Sequence, residues 1–290
     1  MRTLIVSDIH GNLPALEAVL ATREAQGCGD IVSLGDHVSF CAQSREVHER
    51  LAGLGATMLL GNHEERLTRP ADAEFDAYNW RPVRWTARQM AGIDLCLPTD
   101  LRRDGVLFTH GTPGEPYHLV LPSEVTDVLA GLPEGVTLLL SGHNHIRWDV
   151  QAGPRRAFNP GSAGLHEDKT APATASHEGI APFAVLECLP GQPPVVTACE
   201  ARYDVRETLR AFIGSGMCQA APEICRAVAR VLLTREYQGV LKLMRHVSAT
   251  AQANGLAFGD EAAWRLADQS YPWAEKMTST EYWNHLEGEL

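Results

Sequence analysis

The chain has 290 residues, of which 44% are hydrophobic, and this excludes a disordered chain, a collagen-like repeat and a disulfide-stabilised miniprotein. Its 25 Lys and Arg against 36 Asp and Glu give a formal net charge of −11, which disfavours general binding to nucleic acid or to anionic membranes. Twelve His residues in so acidic a chain indicate sites for divalent cations.

The seven cysteines are scattered along the chain without a CxxC pair, a usage typical of a reducing compartment and unlike a zinc finger. The apolar run near the N-terminus is shorter than that of a signal peptide, and no stretch approaches 18 uninterrupted apolar residues. The sequence therefore predicts a soluble, cytoplasmic protein that is neither exported nor inserted in a membrane.

Five predicted strands each run into a polar loop, and helical apolar spacing follows the first two at 16–20 and 47–54. The strands are 4–6, 30–34, 56–60, 105–109 and 136–141. Buried strands that alternate with helices and end in polar loops are typical of an α/β sheet whose site lies beyond its strand ends.

The rest of the chain is predicted to consist of three further segments. Residues 69–103 form a polar, partly helical stretch in which Trp80 and Trp85 anchor a helix over the sheet. Residues 147–198 are rich in Gly and Pro and predict antiparallel strands and loops, with a mobile loop at 170–179. Beyond Tyr203 the apolar spacing is mostly helical.

Seven residues with nitrogen or oxygen donors stand just after the predicted strands. They are Asp8, His10, Asp36, Asn62, His110, His143 and His145. A single Asp-x-His or Gly-Asp pair is frequent by chance, but seven such residues in register can meet at one rim of the sheet. The sequence therefore predicts a metal centre at that rim.

The order of these motifs resembles the calcineurin-like metallophosphoesterases, and most closely their small bacterial and archaeal phosphodiesterase branch. The five matching blocks are Asp8-Ile9-His10, Gly35-Asp36, Gly61-Asn62-His63-Glu64, His110-Gly111 and Gly142-His143-Asn144-His145. The resemblance covers about residues 1 to 210 and is strong only in the blocks. It implies a four-layer αββα sandwich of two mixed β-sheets flanked by helices, within the α/β class.

The resemblance also implies how the blocks divide between two divalent metal ions. Asp8, His10 and His145 would hold the first ion, Asn62, His110 and His143 the second, and the carboxylate of Asp36 would bridge both. Two cations held close together need a shared anion, and two carboxylates leave them a net positive charge for a phosphoryl group. Manganese is expected first, and iron, zinc, nickel or cobalt also suit these ligands.

His63 matches the non-ligand histidine of the family, which implies a general acid that protonates the departing oxygen while a metal-bound hydroxide attacks phosphorus. Asp8 or Glu64 is expected to orient it. The alternative is that His63 only supports the ligands from behind or stabilises the fold.

Further residues near the blocks are candidates for substrate contact, besides Asn62 and His63 themselves. They are His37, Arg66, Tyr117 and His118. Alternatively, His37 lies behind the metal ligands or in a solvated loop. Arg66 could instead form a surface ion pair with an acid such as Glu65. Arg66 also resembles a phosphate-binding Arg of the Ser/Thr protein phosphatases, but Phe40 and its neighbours stand where those enzymes have a second Arg.

Taken together, the sequence predicts a catalytic domain at 1–201 and a helical extension at 202–290 that packs on it. A homo-oligomer contact or a lid that narrows the substrate entrance is the alternative role of the extension. The expected activity is metal-dependent hydrolysis of a small phosphodiester or nucleotide. Phosphomonoesterase or protein phosphatase activity is the first alternative. A non-catalytic protein-binding scaffold on the same fold is the second, and the presence of His63 with all seven predicted ligands argues against it.

Overall fold

The computed structural model describes residues 1–68, 74–170 and 174–290. Its strands, in chain order, are β1 Arg2–Val6, β2 Asp30–Ser33, β3 Thr57–Met58, β4 Asp100–Arg103, β5 Val106–Thr109, β6 Leu138–Leu140, β7 Trp148–Ala152, β8 Arg155–Asn159, β9 Glu178–Glu187 and β10 Val195–Asp204. The predicted mobile loop at 170–179 falls partly on residues 171–173, outside the described residues.

The helices divide between the first two thirds of the chain and its C-terminal part. They are α1 Leu13–Leu20, α2 Arg23–Gln26, α3 Ser44–Gly53, α4 Asn62–Thr68, α5 Arg81–Gln89, α6 Val125–Ala130, α7 Val205–Ser215, α8 Met217–Ala220, α9 Pro222–Thr234, α10 Gly239–Ala253, α11 Glu261–Ser270 and α12 Ser279–Glu289. Two short 3-10 helices, Glu74–Asp76 and Tyr78–Trp80, precede α5.

The strands form two mixed five-stranded sheets. The first has the order β10-β9-β1-β2-β3, with β1, β2 and β3 parallel and β9 antiparallel to β1. The second has the order β4-β5-β6-β8-β7, with β5, β6 and β8 parallel and both edges antiparallel. Helices flank the two sheets, so the predicted α/β sandwich is confirmed.

Three apolar layers hold the sandwich together. The two sheets meet over a core that includes Ile5, Val32, Phe108 and Leu140, all fully buried. Outside the first sheet, apolar residues of α1 and α3 form a second layer, and α6 closes a third outside the second sheet. Because β5 and β6 are buried on both faces, their sequences VLFT and LLL are nearly continuous apolar runs rather than alternating ones.

The predicted elements differ from the structure at their ends, and several elements, including strand β4 and helix α6, were not predicted. The predicted strand 56–60 shortens to β3, an edge strand with a single neighbour. Helix α3 begins at Ser44, before the predicted start at 47, and the buried Ser44 hydroxyl accepts a hydrogen bond from the Ser39 N–H. Strand β4 was not predicted because it is a charged edge strand of sequence DLRR.

Helices α7 to α12 follow β10, so the helices begin at Val205 and the predicted boundary at 202 lies inside the last strand. Their largest apolar cluster also contains Cys41, Tyr78, Trp85 and Leu165 from the first two thirds of the chain. The extension is therefore packed on the sandwich through a shared core. No helix among the described residues is both long and apolar enough to cross a membrane.

Candidate metal centre

The seven predicted ligands come together because their strands are parallel and end at the same rim. In the first sheet, Asp8 and His10 follow β1, Asp36 follows β2, and Asn62 opens α4 just beyond β3. In the second sheet, His110 follows β5, and His143 and His145 follow β6. The carboxyl ends of parallel strands are where α/β sheets place their sites.

The backbone of this rim is held in an unusual conformation. Five of the predicted ligands have a positive φ, namely Asp8 (51°), His10 (52°), Asp36 (52°), His143 (70°) and His145 (59°). The left-handed region is costly for residues other than Gly, and residues held there cluster at functional sites. The fold therefore maintains strain at the positions where side chains must converge.

Asp8, His10 and His145 form the first group of candidate ligands, with ligand atoms all within 4.8 Å of one another. The Nε2 atoms of His10 and His145 are 2.9 Å apart. Oδ1 of Asp8 lies 3.5 Å from Nε2 of His145 and 4.0 Å from Nε2 of His10. Two imidazoles and one carboxylate oxygen thus face the same point.

Asp36, His110 and His143 form the second group, again within 4.8 Å. Nε2 of His110 lies 3.2 Å from Oδ2 of Asp36 and 3.1 Å from Oδ1 of Asn62. The amide oxygen of Asn62 therefore joins this group although it carries no charge. Both groups combine imidazole nitrogen with oxygen donors, a set that suits several divalent transition metals.

Asp36 stands between the two groups. Its Oδ2 is 3.2 Å from Nε2 of His110 in the second group and 4.0 Å from Nε2 of His10 in the first. The same oxygen lies 4.0 Å from Nε2 of His63, and Oδ1 accepts a hydrogen bond from the backbone N–H of His63. One buried carboxylate thus faces both groups and His63.

Backbone groups orient the imidazoles. Nδ1 of His10 lies 3.2 Å from the carbonyl of Val38, and Nδ1 of His110 lies 2.9 Å from that of Leu34. When each Nδ1–H donates to its carbonyl, the lone pair of Nε2 points into the cluster. A second hydrogen bond of this kind fixes the tautomer and ring angle of metal-binding histidines.

The two carboxylate oxygens of Asp8 differ in their hydrogen bonding. Its Oδ2 accepts hydrogen bonds from the Ser7 hydroxyl and from the His143 N–H. Its Oδ1 is buried and has no hydrogen-bond partner among the described residues. An orphaned buried carboxylate oxygen is costly unless a cation satisfies it. The residues present therefore fit a bound metal ion.

Burial and mutual charge shift the pKa values of the cluster. Burial lowers the pKa of His145 to about 3 and of His143 to about 4, and holds that of His10 well below its usual range. These rings are neutral, as metal ligands must be. Burial opposes ionisation of Asp36, but His110, His63 and His10 outweigh it and hold the pKa of Asp36 well below its usual range.

Two residues of the centre behave differently. Burial raises the pKa of Asp8 to about 7. The nearby His110 opposes this shift, and the negative charge of Asp36 adds to it. Burial opposes the charged form of His110, but Asp36 outweighs it and raises the pKa of His110 to about 9. A cation would take the place of the protons that these groups retain.

Glu64 lies behind the ligands and not against the ring of His63. It is fully buried, and its carboxylate accepts hydrogen bonds from the N–H groups of Asp36, Val38 and Gly61 at 2.8 to 3.1 Å. It also lies 3.2 Å from Nδ1 of His37. Glu64 therefore joins the two loops that carry Asp36 and Asn62, a role that the sequence alone did not indicate.

The predicted substrate contacts divide into those that reach the centre and those that do not. Asn62 and His63 line a cavity beside it. His37 is fully buried between Glu64 and His48, Arg66 lies over the ring of Trp80 at 5.0 Å, and His118 is exposed away from the cavity lining.

Tyr117 lies near the rim without lining the cavity. Its hydroxyl contacts the carboxylate of Glu65, and its carbonyl oxygen lies 3.2 Å from Nε2 of His143. The backbone of Tyr117 therefore orients a predicted ligand, which a pattern of side chains along the sequence does not reveal.

The cavity has a volume of about 340 Å³ and opens over both groups. Asp36, Asn62, His63, His143 and His145 form its floor, while residues of the loop after β5 and of the start of α10 form its walls. Phe40 also lines it and packs against the rings of His10 and His63, with centroids 4.8 Å apart in each case. The extension thus contributes directly to the candidate site.

A two-sheet sandwich with a His and Asp cluster at the shared strand ends defines the class of metallophosphoesterases. The model of the calcineurin-like phosphoesterase superfamily domain matches residues 1–178. This chain therefore belongs to the calcineurin-like phosphoesterase superfamily, whose members are metal-dependent hydrolases of phosphoesters, and the resemblance found in its motifs is confirmed.

Three proteins with similar sequence or structure come from Methanocaldococcus jannaschii, Sphaerobacter thermophilus and Pyrococcus horikoshii. An uncharacterized protein of Methanocaldococcus jannaschii, MJ0912, is 27% identical over 176 residues, which are 57% of this chain and 71% of that protein. The crystal structure of a metallophosphoesterase from Sphaerobacter thermophilus has a TM-score of 0.64 at 23% identity and covers 79% of this chain and 99% of that chain.

A hypothetical protein from Pyrococcus horikoshii, PH1004, has the same TM-score of 0.64 at 19% identity, over 81% of this chain and 98% of that chain. Both structures show a shared fold. Roughly a fifth of this chain lies outside each of the two alignments.

Proposed function

We propose that this chain is a binuclear metal-dependent phosphoesterase that hydrolyses small phosphodiester or nucleotide substrates. The observation that carries the proposal is the place of Asp36, whose Oδ2 faces His10 in one candidate ligand group and His110 in the other. A bridging carboxylate is the arrangement by which two cations are held close together.

In this proposal each ligand group holds one divalent cation. Asp8, His10 and His145 hold the first, Asn62, His110 and His143 the second, and Asp36 both. When bound, the cations supply Lewis-acid polarisation of a phosphoryl group and neutralise its charge. Manganese is proposed as the ion, supported by the mixed imidazole and oxygen donors. Seven free cysteines support a cytoplasmic location.

The chain's own residues position the substrate and move one proton. Nε2 of His63 faces the cluster 4.0 Å from Asp36. Burial lowers the pKa of His63, and the negative charge of Asp36 opposes this shift and favours the protonated ring. From there His63 donates its proton to the departing ester oxygen. Asn62 and His143, which also line the cavity, flank the place where the phosphoryl group would lie.

The experiment is hydrolysis of bis-(p-nitrophenyl) phosphate and p-nitrophenyl phosphate, with Mn²⁺ and after chelation. Metal-dependent hydrolysis of the diester is the expected result. Activity on the monoester alone would favour phosphomonoesterase instead. No metal-dependent hydrolysis of either compound would contradict the proposal and favour a protein-binding scaffold.

Replacement of His63 by Ala separates its proposed role from metal binding. We expect His63→Ala to retain the metal content of the wild type and to lower turnover of the diester at least tenfold, since general acid catalysis is worth about 10²–10⁴-fold. Metal analysis and steady-state kinetics on one sample check this. Unchanged turnover would remove His63 from the mechanism.

A further inference from the structure

The walls of the cavity are apolar where its floor is polar. Leu119, Leu121 and Pro122 come from the loop after β5, and Val240, Leu241 and Met244 come from the start of α10. We call Leu119, Leu121, Leu241 and Met244 the apolar wall. Its members line the same cavity as the candidate ligands Asp36, His143 and His145.

Three members of this wall are unusually exposed. Leu119 is 38% exposed, Leu121 40% and Leu241 47%. They are three of the nine large hydrophobic residues that are exposed in the described part of the chain. They derive from two segments about 120 residues apart in sequence and converge on one opening. Clustered exposed apolar side chains beside a site indicate an apolar ligand group.

The charged groups of the cavity do not suit a second phosphate. Apart from Asp36 and the histidines, the charged residues among its described lining are Glu167 and Lys169, one of each sign. Nζ of Lys169 lies over the ring of Tyr237 at 5.0 Å. A polyphosphate or dinucleotide needs several cationic partners for its additional phosphates, and this lining supplies one.

The amide side chains of the lining are also engaged elsewhere. Asn144 donates to the carbonyl of Val120 and accepts from Asn159. Gln238 donates to the hydroxyl of Tyr237 and accepts from Arg245. A nucleotide base is recognised by free donors and acceptors, and each of these two amides already uses one donor and its oxygen in contacts with the protein.

We infer, on the basis of the proposed function, that the organic group of the substrate is apolar, of the alkyl or aryl class, and lies against the apolar wall. The volume of about 340 Å³ holds roughly eleven groups of about 30 Å³ each. A phosphoryl group with one ring or a short alkyl chain fills it, and a longer chain extends over the exposed leucines.

The test measures binding of alkylphosphonates of increasing length, from methyl to butyl to octyl, to the Mn²⁺-loaded protein by calorimetry. Each carries one organic group, so the wall meets that group whichever ester would be cleaved. A buried methylene contributes a factor of about four in affinity, and we expect at least a tenfold gain from methyl to butyl. A hydroxyl-terminated chain of the same length is expected to lose the gain.

Two variants assign the gain to the wall. Leu241→Asn removes an apolar contact at a position that is already half exposed, and Leu266→Asn makes the same change at the 40% exposed Leu266 of α11, which does not line the cavity. Leu241→Asn is expected to reduce the ratio of octyl to methyl affinity at least fivefold, and Leu266→Asn to leave it unchanged.

The possible outcomes separate this inference from the proposed function. An affinity that does not rise with chain length, or an octyl to methyl ratio unchanged in Leu241→Asn, overturns the inference even when the diester is hydrolysed. Absence of metal-dependent hydrolysis with a clear chain-length dependence of binding overturns the proposed function and keeps the apolar subsite.

Discussion

Glu64 is fully buried, and its carboxylate accepts three backbone hydrogen bonds from the loops after β2 and β3. The neighbouring Gly61 permits this contact because it has no side chain. A Cβ at Gly61 would lie 2.2 Å from Oδ1 of Asp36 and 2.7 Å from Oε2 of Glu64. The position of the proposed bridging carboxylate of Asp36 thus depends on Gly61, which has no side chain to bind a metal ion.

We therefore expect Gly61→Ala to displace Asp36 and to lower both metal content and diester turnover at least tenfold. Gly53→Ala is the matched control, because a Cβ at Gly53, at the end of α3, meets no atom within 4 Å. Metal analysis of the two variants checks the prediction. Wild-type metal content in Gly61→Ala would contradict the placement of Asp36.

The structure brings the seven predicted ligands together, and their binding of metal stays a prediction. The seven predicted ligands follow strand ends, and a parallel sheet brings strand ends together without further information. Contacts that involve the backbone escaped prediction. Glu64 was expected to orient His63 and Tyr117 to contact substrate, whereas the Glu64 carboxylate accepts from the backbone of the Asp36 loop and the Tyr117 carbonyl faces His143.

At the scale of elements, the connection from β8 to β9 meets the start of α10. Glu167 of that connection accepts a hydrogen bond from the Gln238 N–H at 2.9 Å. Burial raises the pKa of Glu167 from 4.5 to about 7, against the opposing effects of this hydrogen bond and of Lys242. The protonated form of Glu167 is therefore favoured where the extension joins the cavity.

This shift predicts a pH dependence of stability. A raised pKa in the folded state contributes stability that is fully present below the ordinary value near 4.5 and is lost as the pH rises through about 7. Urea unfolding of Glu167→Gln, which cannot ionise, is expected to show a smaller loss between pH 5 and pH 7.5 than the wild type. Equal losses in the two proteins would contradict the prediction.

A second contact between elements joins the 3-10 helix Tyr78–Trp80 to α9. The Tyr78 hydroxyl donates to the carboxylate of Glu223, which is fully buried and also lies 3.2 Å from Arg265 of α11. Tyr78→Phe is expected to lower the free energy of unfolding by about 1–3 kcal/mol, because Glu223 loses a buried donor. Chemical denaturation measures this, and an unchanged midpoint would contradict it.

The sequence predicted elements according to how apolar they are. Buried strands such as β1 and β6 are continuous apolar runs, so their existence follows from pattern alone. Strand β4 is charged, lies at an edge and is specified by its pairing with β5. The contribution of α10 to the cavity also depends on long-range packing, which helical periodicity in the sequence does not predict.

At the scale of the whole molecule, the net charge of −11 describes the protein surface as a whole, whereas the proposed function depends on the local charge of the metal centre. The surface at large repels polyanions, while two cations at the strand ends would reverse the sign locally. The extension shares its core with the sandwich through Tyr78 and Trp85 and supplies part of the apolar wall. The extension therefore helps to shape the candidate site.

The central claim is one binuclear centre bridged by Asp36. Metal analysis of the chain after loading with Mn²⁺ and removal of free ions tests it most directly. We expect about two ions per wild-type chain and fewer than one in Asp36→Ala, because both groups lose a shared ligand. A single ion per wild-type chain, or loss of only one of two ions in Asp36→Ala, would contradict it.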